Sequence, residues 1–149
     1  MTSDDFFAAN WIKLEDEESQ RPLLIFDCVF LDGLHHADQL KKDIKNAWYC
    51  LREGGCILIH DTNPHSESIT HVPRDNREWC GNVYKTICQI DEPEIFTLNE
   101  DYGVTVIRKE GELKINDDVD DWAWFEEFRH GILNLKTWDE CIKIIEGWE

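Results

Sequence analysis

Acid and imidazole groups occur together at two points of the chain, Asp32-Gly33-Leu34-His35 and His60-Asp61. Carboxylate oxygens hold hard divalent cations at roughly 2.0 to 2.6 Å, and an imidazole with a pKa near 6.5 exchanges a proton close to neutrality. Each cluster ends an apolar run, Leu23 to Leu31 in the first case and Cys56 to Ile59 in the second. Runs that are apolar on both faces read as interior parallel strands, and neighbouring strands lie about 4.8 Å apart. Asp32 and Asp61, at two such strand ends, can therefore share one cation. His60 is then a third ligand or a general base, with Thr62 or Asn63 completing the shell. His35 follows its strand closely enough to face the same pocket and accept a substrate proton. The simpler alternatives are that Asp32 caps the following helix, that Asp61 caps its loop and that His35 is only a hydrogen-bond partner.

The elements that must position these groups follow from periodicity. Between the two runs, Leu40, Ile44, Ala47 and Leu51 keep helical spacing from Ala37 to Glu53, and Gly54-Gly55 supplies a left-handed stop. Strand, helix and strand then make a right-handed crossover, which brings both strand ends to the edge where open α/β sheets hold ligands. His36 starts the intervening helix. Upstream, Thr2 and Ser3 can cap a helix that carries Phe6, Phe7 and Trp11, and the polar stretch Glu15 to Arg21 ends it. Downstream, Thr62 to Glu78 shows no period and reads as a lid or binding loop bearing His65 and His71. Asn82 to Ile90 reads as a short helix, and Glu94 to Leu98 and Val104 to Arg108 as strands joined by a hairpin-length connection. The last forty or so residues are helical. Asp117, Asp118, Asp120 and Asp121 precede Trp122, Trp124, Phe125 and Phe128, a packing stripe, with His130 exposed. Thr137-Trp138-Asp139-Glu140 is a capping box for a last helix bearing Cys141, Ile142, Ile145 and Trp148.

The 149 residues suffice for one domain with its own core, and the 42% hydrophobic content fits a globular chain. The 32 acidic residues against 15 basic give a net charge of −17, which disfavours nucleic acid or an anionic membrane as a direct partner. Neither a signal peptide nor an apolar run of membrane-spanning length is visible, so a cytoplasmic protein is expected. The six cysteines form no C-x-x-C pair and read as reduced thiols, because spacing such as that of Cys80 and Cys88 fits no closed zinc site.

Four segments taken in order resemble a family: Leu31-Asp32-Gly33-Leu34-His35-His36; Gly54-Gly55-Cys56-Ile57-Leu58-Ile59-His60-Asp61-Thr62-Asn63-Pro64; Trp79-Cys80-Gly81-Asn82-Val83-Tyr84-Lys85; and Asp101-Tyr102-Gly103-Val104-Thr105-Val106-Ile107-Arg108. They look like successive motifs of the class I S-adenosylmethionine-dependent methyltransferases, of the small type associated with glycosyltransferases. Leu133-Asn134-Leu135 is similar to that family's ending. The resemblance implies a Rossmann-like α/β fold whose sheet is mostly parallel and ends in an antiparallel hairpin, followed by a helical tail. The implied strand order is fourth, fifth, seventh, sixth, with the seventh antiparallel. A complete domain opens with a strand and a glycine-rich cofactor loop that have no counterpart here. The chain therefore resembles the C-terminal two-thirds of the domain, a partial domain over 1–111 with a helical extension of it over 112–149. No G-x-G-x-x-G is present either.

By the same resemblance the activity is methyl transfer from S-adenosylmethionine to a hydroxyl of a small molecule or sugar. The candidate assignments are His35 and His60 as catalytic, and Ser3, Asp4, Asp32 and Gly33 at the cofactor. Asp32, His60 and Asp61 are assigned to Mg²⁺ or another divalent cation. Helix capping explains Ser3 and Asp4 without a ligand. The alternative function is a non-catalytic acidic interaction module that kept the sheet. Without the preceding strands, the 23–31 strand becomes an apolar edge, an association hazard. It is expected to be covered by a second copy, by a partner chain, or by the N-terminal helix and the tail.

Overall fold

A computed structural model of the chain describes residues 1–13, 20–22, 24–92, 94–116 and 121–148. Leu23, most of the 15–21 stretch and the aspartates at 117, 118 and 120 lie outside the described residues. Helix α1, Ser3–Ala9, starts at Thr2, whose hydroxyl accepts from the Asp5 amide at 3.1 Å while the Asp5 carboxylate accepts from the Thr2 amide at 3.0 Å. Trp11 is not part of this helix, contrary to its spacing. Asn10 closes α1 by donating from its side chain to the Phe6 carbonyl at 2.7 Å, and Trp11–Lys13 becomes strand β1, paired antiparallel with β2, Gln20–Pro22.

Strand β3, Phe26–Leu31, leads through helix α2, Ala37–Cys50, into the parallel strand β4, Leu51–Ile59. The helix ends three residues before the expected Glu53. Lys109 caps it instead of the glycines, its ammonium donating to the Trp48 and Leu51 carbonyls, each at 2.8 Å. Gly54 and Gly55 fall inside β4, where pairing jumps from Phe26 opposite Leu51 to Cys28 opposite Cys56. A side chain at Gly55 would meet the Asp27 carbonyl at 2.8 Å, so the bulge needs glycine there.

Helix α3, Tyr84–Gln89, and strands β5, Ile95–Leu98, and β6, Val104–Arg108, complete the central part. Helix α4, Trp122–Ile132, a short strand β7, Leu135–Lys136, and helix α5, Trp138–Glu146, form the tail. The five-stranded sheet runs β3-β4-β6-β5-β7, with β6 antiparallel to both of its neighbours. This is the order the sequence implied. The parallel pairing of β7 with β5 was not foreseen.

Alternation along the strands gives the sheet two different faces. Ile57, Ile59 and Ile107 pack with Ile44 and Ala47 of α2, Ile87 of α3 and Phe125 of α4 in the larger core. Cys56, Leu58, Phe96 and Val106 meet Cys141 and Ile144 of α5 on the other face. Helix α5 rests on β5 and leaves the β3 side of that face open, with Phe30 59% exposed. Among the described residues β3 has no strand on its outer edge, and neither α1 nor the tail pairs with it. No described helix is long and apolar enough to cross a membrane.

Candidate functional site

The two strand ends meet as the crossover requires. The pairing of Leu31 with Ile59 sets Asp32 beside His60, and the His60 amide donates to the Leu31 carbonyl at 3.1 Å. His60 Nδ1 lies 3.5 Å from the Asp32 carboxylate and 3.4 Å from that of Asp61. His35 Nδ1 lies 3.2 Å from Asp61, and its Nε2 lies 3.4 Å from Asp32. One ligand atom each from Asp32, His35 and Asp61 falls within 4.8 Å of the others. His60 has a further partner that the sequence analysis missed, Asp101 in the β5–β6 turn, at 3.2 Å from its Nε2. In the sequence Asp101 belongs to the fourth family-like segment and to the hairpin connection, with nothing to link it to His60.

Backbone conformation fixes these positions. Asp61 has φ 61°, in the left-handed region where a residue with a Cβ is strained by roughly 1–2 kcal/mol. It is held by the residues that follow, since the Thr62 amide donates to the Gly103 carbonyl at 3.3 Å and the Asn63 amide to the Tyr102 carbonyl at 2.6 Å. Thr62 is fully buried, and its hydroxyl accepts from Thr105 at 2.8 Å. Asn63 donates to the Asn99 side chain at 2.9 Å and accepts from Arg129 at 3.3 Å. Both therefore brace the turn through contacts of their own.

His35 is held from the loop side. The Trp79 ring stacks on it at 5.2 Å, and the Trp79 carbonyl lies 3.3 Å from Nδ1. The loop between Thr62 and Glu78 is anchored in its middle by the short 3₁₀ turn Glu67–Ile69, with Ile69 buried and its carbonyl accepting from the Cys80 and Gly81 amides. His71 pairs with Asp75 at 2.8 Å, and His65 lies beside Tyr102 and Glu78. His36 is the N-cap of α2 without a side-chain bond, and Asn82 supplies the missing cap by accepting from the Ala37 amide at 2.7 Å. His130 is exposed on α4.

Charge in the cluster follows from burial and neighbours. Burial pushes the Asp61 carboxyl up, against the pull of His60, His35 and a hydrogen bond with Cys80. Burial acts to lower His60, but Asp61, Asp101 and Asp32 outweigh it and hold the imidazole above its ordinary value. Cys80 is held protonated, by burial first and then by the Asp61 charge.

Beside the cluster lies a cavity of about 530 Å³ lined by Ser3, Asp4, Phe30, Asp32, Gly33, Leu34 and His35, among others. All four residues assigned to the cofactor from sequence line it. At its wall Gln39 donates to the Ser3 hydroxyl at 3.3 Å, to Asp4 at 3.1 Å and to the buried Asp43 at 3.1 Å. Neither Gln39 nor Asp43 is among the site residues assigned from sequence.

The model of a family described as "Methyltransferase domain" matches residues 6–62, from α1 through Asp61 to Thr62. Over these residues the chain is similar to that methyltransferase family. Among curated proteins nothing matches the chain. The matched segment contains Asp32, His35, His60 and Asp61, whereas Trp79 and Asp101, which steady the two histidines, come from beyond it.

Proposed function

We propose that the chain takes part in methyl transfer from S-adenosylmethionine to a hydroxyl of a small molecule or sugar, with a divalent cation held at the strand ends. The observation that carries this reading is the convergence of Asp32, His35 and Asp61 beside the cavity, inside the segment that matches the methyltransferase family. Two carboxylates and an imidazole suit Mg²⁺, Mn²⁺ or a similar ion of oxygen and nitrogen preference. Asp32 and Asp61 would hold the ion, with His35 or His60 as the nitrogen ligand. When bound, such an ion lowers the pKa of a hydroxyl that it orients.

The cavity fits the cofactor's charge. S-adenosylmethionine carries a sulfonium and an ammonium group and no phosphate, and Asp4, Asp32 and Asp43 make the lining acidic. Ser3 and Asp4, at the start of α1, offer short polar groups for an adenine edge, with Gln39 orienting them. The imidazole that does not hold the ion is then free to take the acceptor's proton, the role assigned here to His60 with Asp101 behind it. Trp79 over His35 keeps water from one side of that ring.

Calorimetry with S-adenosylhomocysteine, with and without Mn²⁺, tests the reading. Saturable binding that weakens by on the order of 10-fold or more in Asp32→Ala and Asp61→Asn is the expected result. Absence of binding under both conditions favours the non-catalytic acidic module.

A further inference from the structure

We infer that Cys28 and Cys56 form an oxidation site, a thiol pair that a peroxide closes into a disulfide tying the edge strand β3 to β4. The two cysteines are directly opposite in the parallel pairing of these strands. Side chains opposite each other in a parallel pair leave the same face of the sheet, and a strand separation of about 4.8 Å lies within the roughly 4.4–6.8 Å between Cα atoms that a disulfide spans. Cys28 is exposed on the open part of the face, and Cys56 is half-buried at the margin of the cluster that α5 covers. Their accessibility does not depend on the free outer edge of β3, because the side chains stand perpendicular to the sheet.

The chemistry needs two steps. The Cys28 sulfur attacks a peroxide oxygen, the O–O bond breaks and a sulfenic acid and water form. The Cys56 sulfur then attacks the Cys28 sulfur, the S–O bond breaks, and the hydroxide leaves with the Cys56 proton as a second water. Both sulfurs are oxidised and the peroxide is reduced. Cys28, exposed, meets the peroxide first, and Cys56, half-buried opposite it, resolves the sulfenic acid; burial pushes the Cys56 thiol up to about 12.

The bond would act at a weak point of the sheet. Pairing of β3 with β4 is interrupted by the Gly54-Gly55 bulge and resumes at this cysteine pair, and among the described residues β3 has no second neighbouring strand to hold its register. A covalent tie there restrains the whole strand that leads to Asp32. This inference stands apart from the methyltransferase reading, since neither step uses the cofactor or a cation.

The test treats the reduced full chain with stoichiometric hydrogen peroxide, blocks free thiols, and maps linked peptides by mass spectrometry. Loss of two hydrogens in a Cys28–Cys56 linked peptide, reversed by dithiothreitol and absent in Cys28→Ser but retained in Cys141→Ser, is expected. Amide exchange across 26–31 should slow in the oxidised form. A Cys28 product that stops at sulfenic or sulfinic acid, a bond between two copies through Cys28, or unchanged exchange in β3 would overturn it.

Discussion

At the scale of single residues, the site is an arrangement of groups that share charge. His60 faces three carboxylates and is held above its ordinary value of 6.5 despite its burial. A raised histidine binds its proton more tightly in the folded chain, so it adds stability below the ordinary value and loses that contribution as pH rises through the folded value. In the metal-free protein, imidazole titration followed by NMR should therefore show His60 above 6.5, and Asp101→Asn should move it down. Gly81 is a second point of dependence. Its φ is 63°, and a Cβ there would come within 1.9 Å of the His35 carbonyl. Gly81→Ala should cost roughly 1–3 kcal/mol of stability in thermal unfolding, through backbone strain and the push on the segment that carries His35.

At the scale of elements, the helix starts behave as local chemistry dictates. The Thr137 hydroxyl accepts from the Glu140 amide while the Glu140 carboxylate accepts from the Thr137 amide and hydroxyl, each at 2.8 Å. Thr137→Ala should lose about 1 kcal/mol, measured by chemical denaturation. These bonds hold the Glu140 carboxyl below its ordinary value of 4.5. Its contribution is complete above that value and is lost as pH falls through the folded value, so Glu140→Gln should flatten stability against pH in the acid range. The helix ends follow a different logic. Asn10 closes α1 locally, whereas α2 ends where Lys109, distant in sequence, reaches its carbonyls. The expected extension of α2 to Glu53 fails for that reason, and the glycines taken for its stop serve the bulge of β4.

At the scale of the whole molecule, the outer edge of β3, which no strand covers among the described residues, is the main open feature. Ile25 and Phe30 are each 59% exposed there, and Leu34 beyond the strand is 56% exposed. We expect a second copy to cover this edge, and sedimentation at micromolar concentration should give twice the monomer mass. Val29→Pro, in the strand itself, should abolish the association, because proline removes a ladder donor and is poorly tolerated within a paired strand. The net charge of −17 opposes self-association, so the dimer should strengthen as salt is raised.

The sequence by itself determined the crossover and the two acid-bearing strand ends, because hydrophobic period and turn residues are local, while the strand order came from the family resemblance of the quoted motifs. It also indicated Ser3, Asp4, Asp32 and Gly33, all of which line one cavity. Only the tertiary structure decided which imidazole meets which carboxylate. Asp101 and Trp79 come to the histidines through the β5–β6 turn and the loop anchored at Ile69, across 41 and 44 residues. The structure alone also placed β7, which extends the sheet beyond β5. Such contacts depend on how packed elements register against one another, and no period along the chain encodes that register.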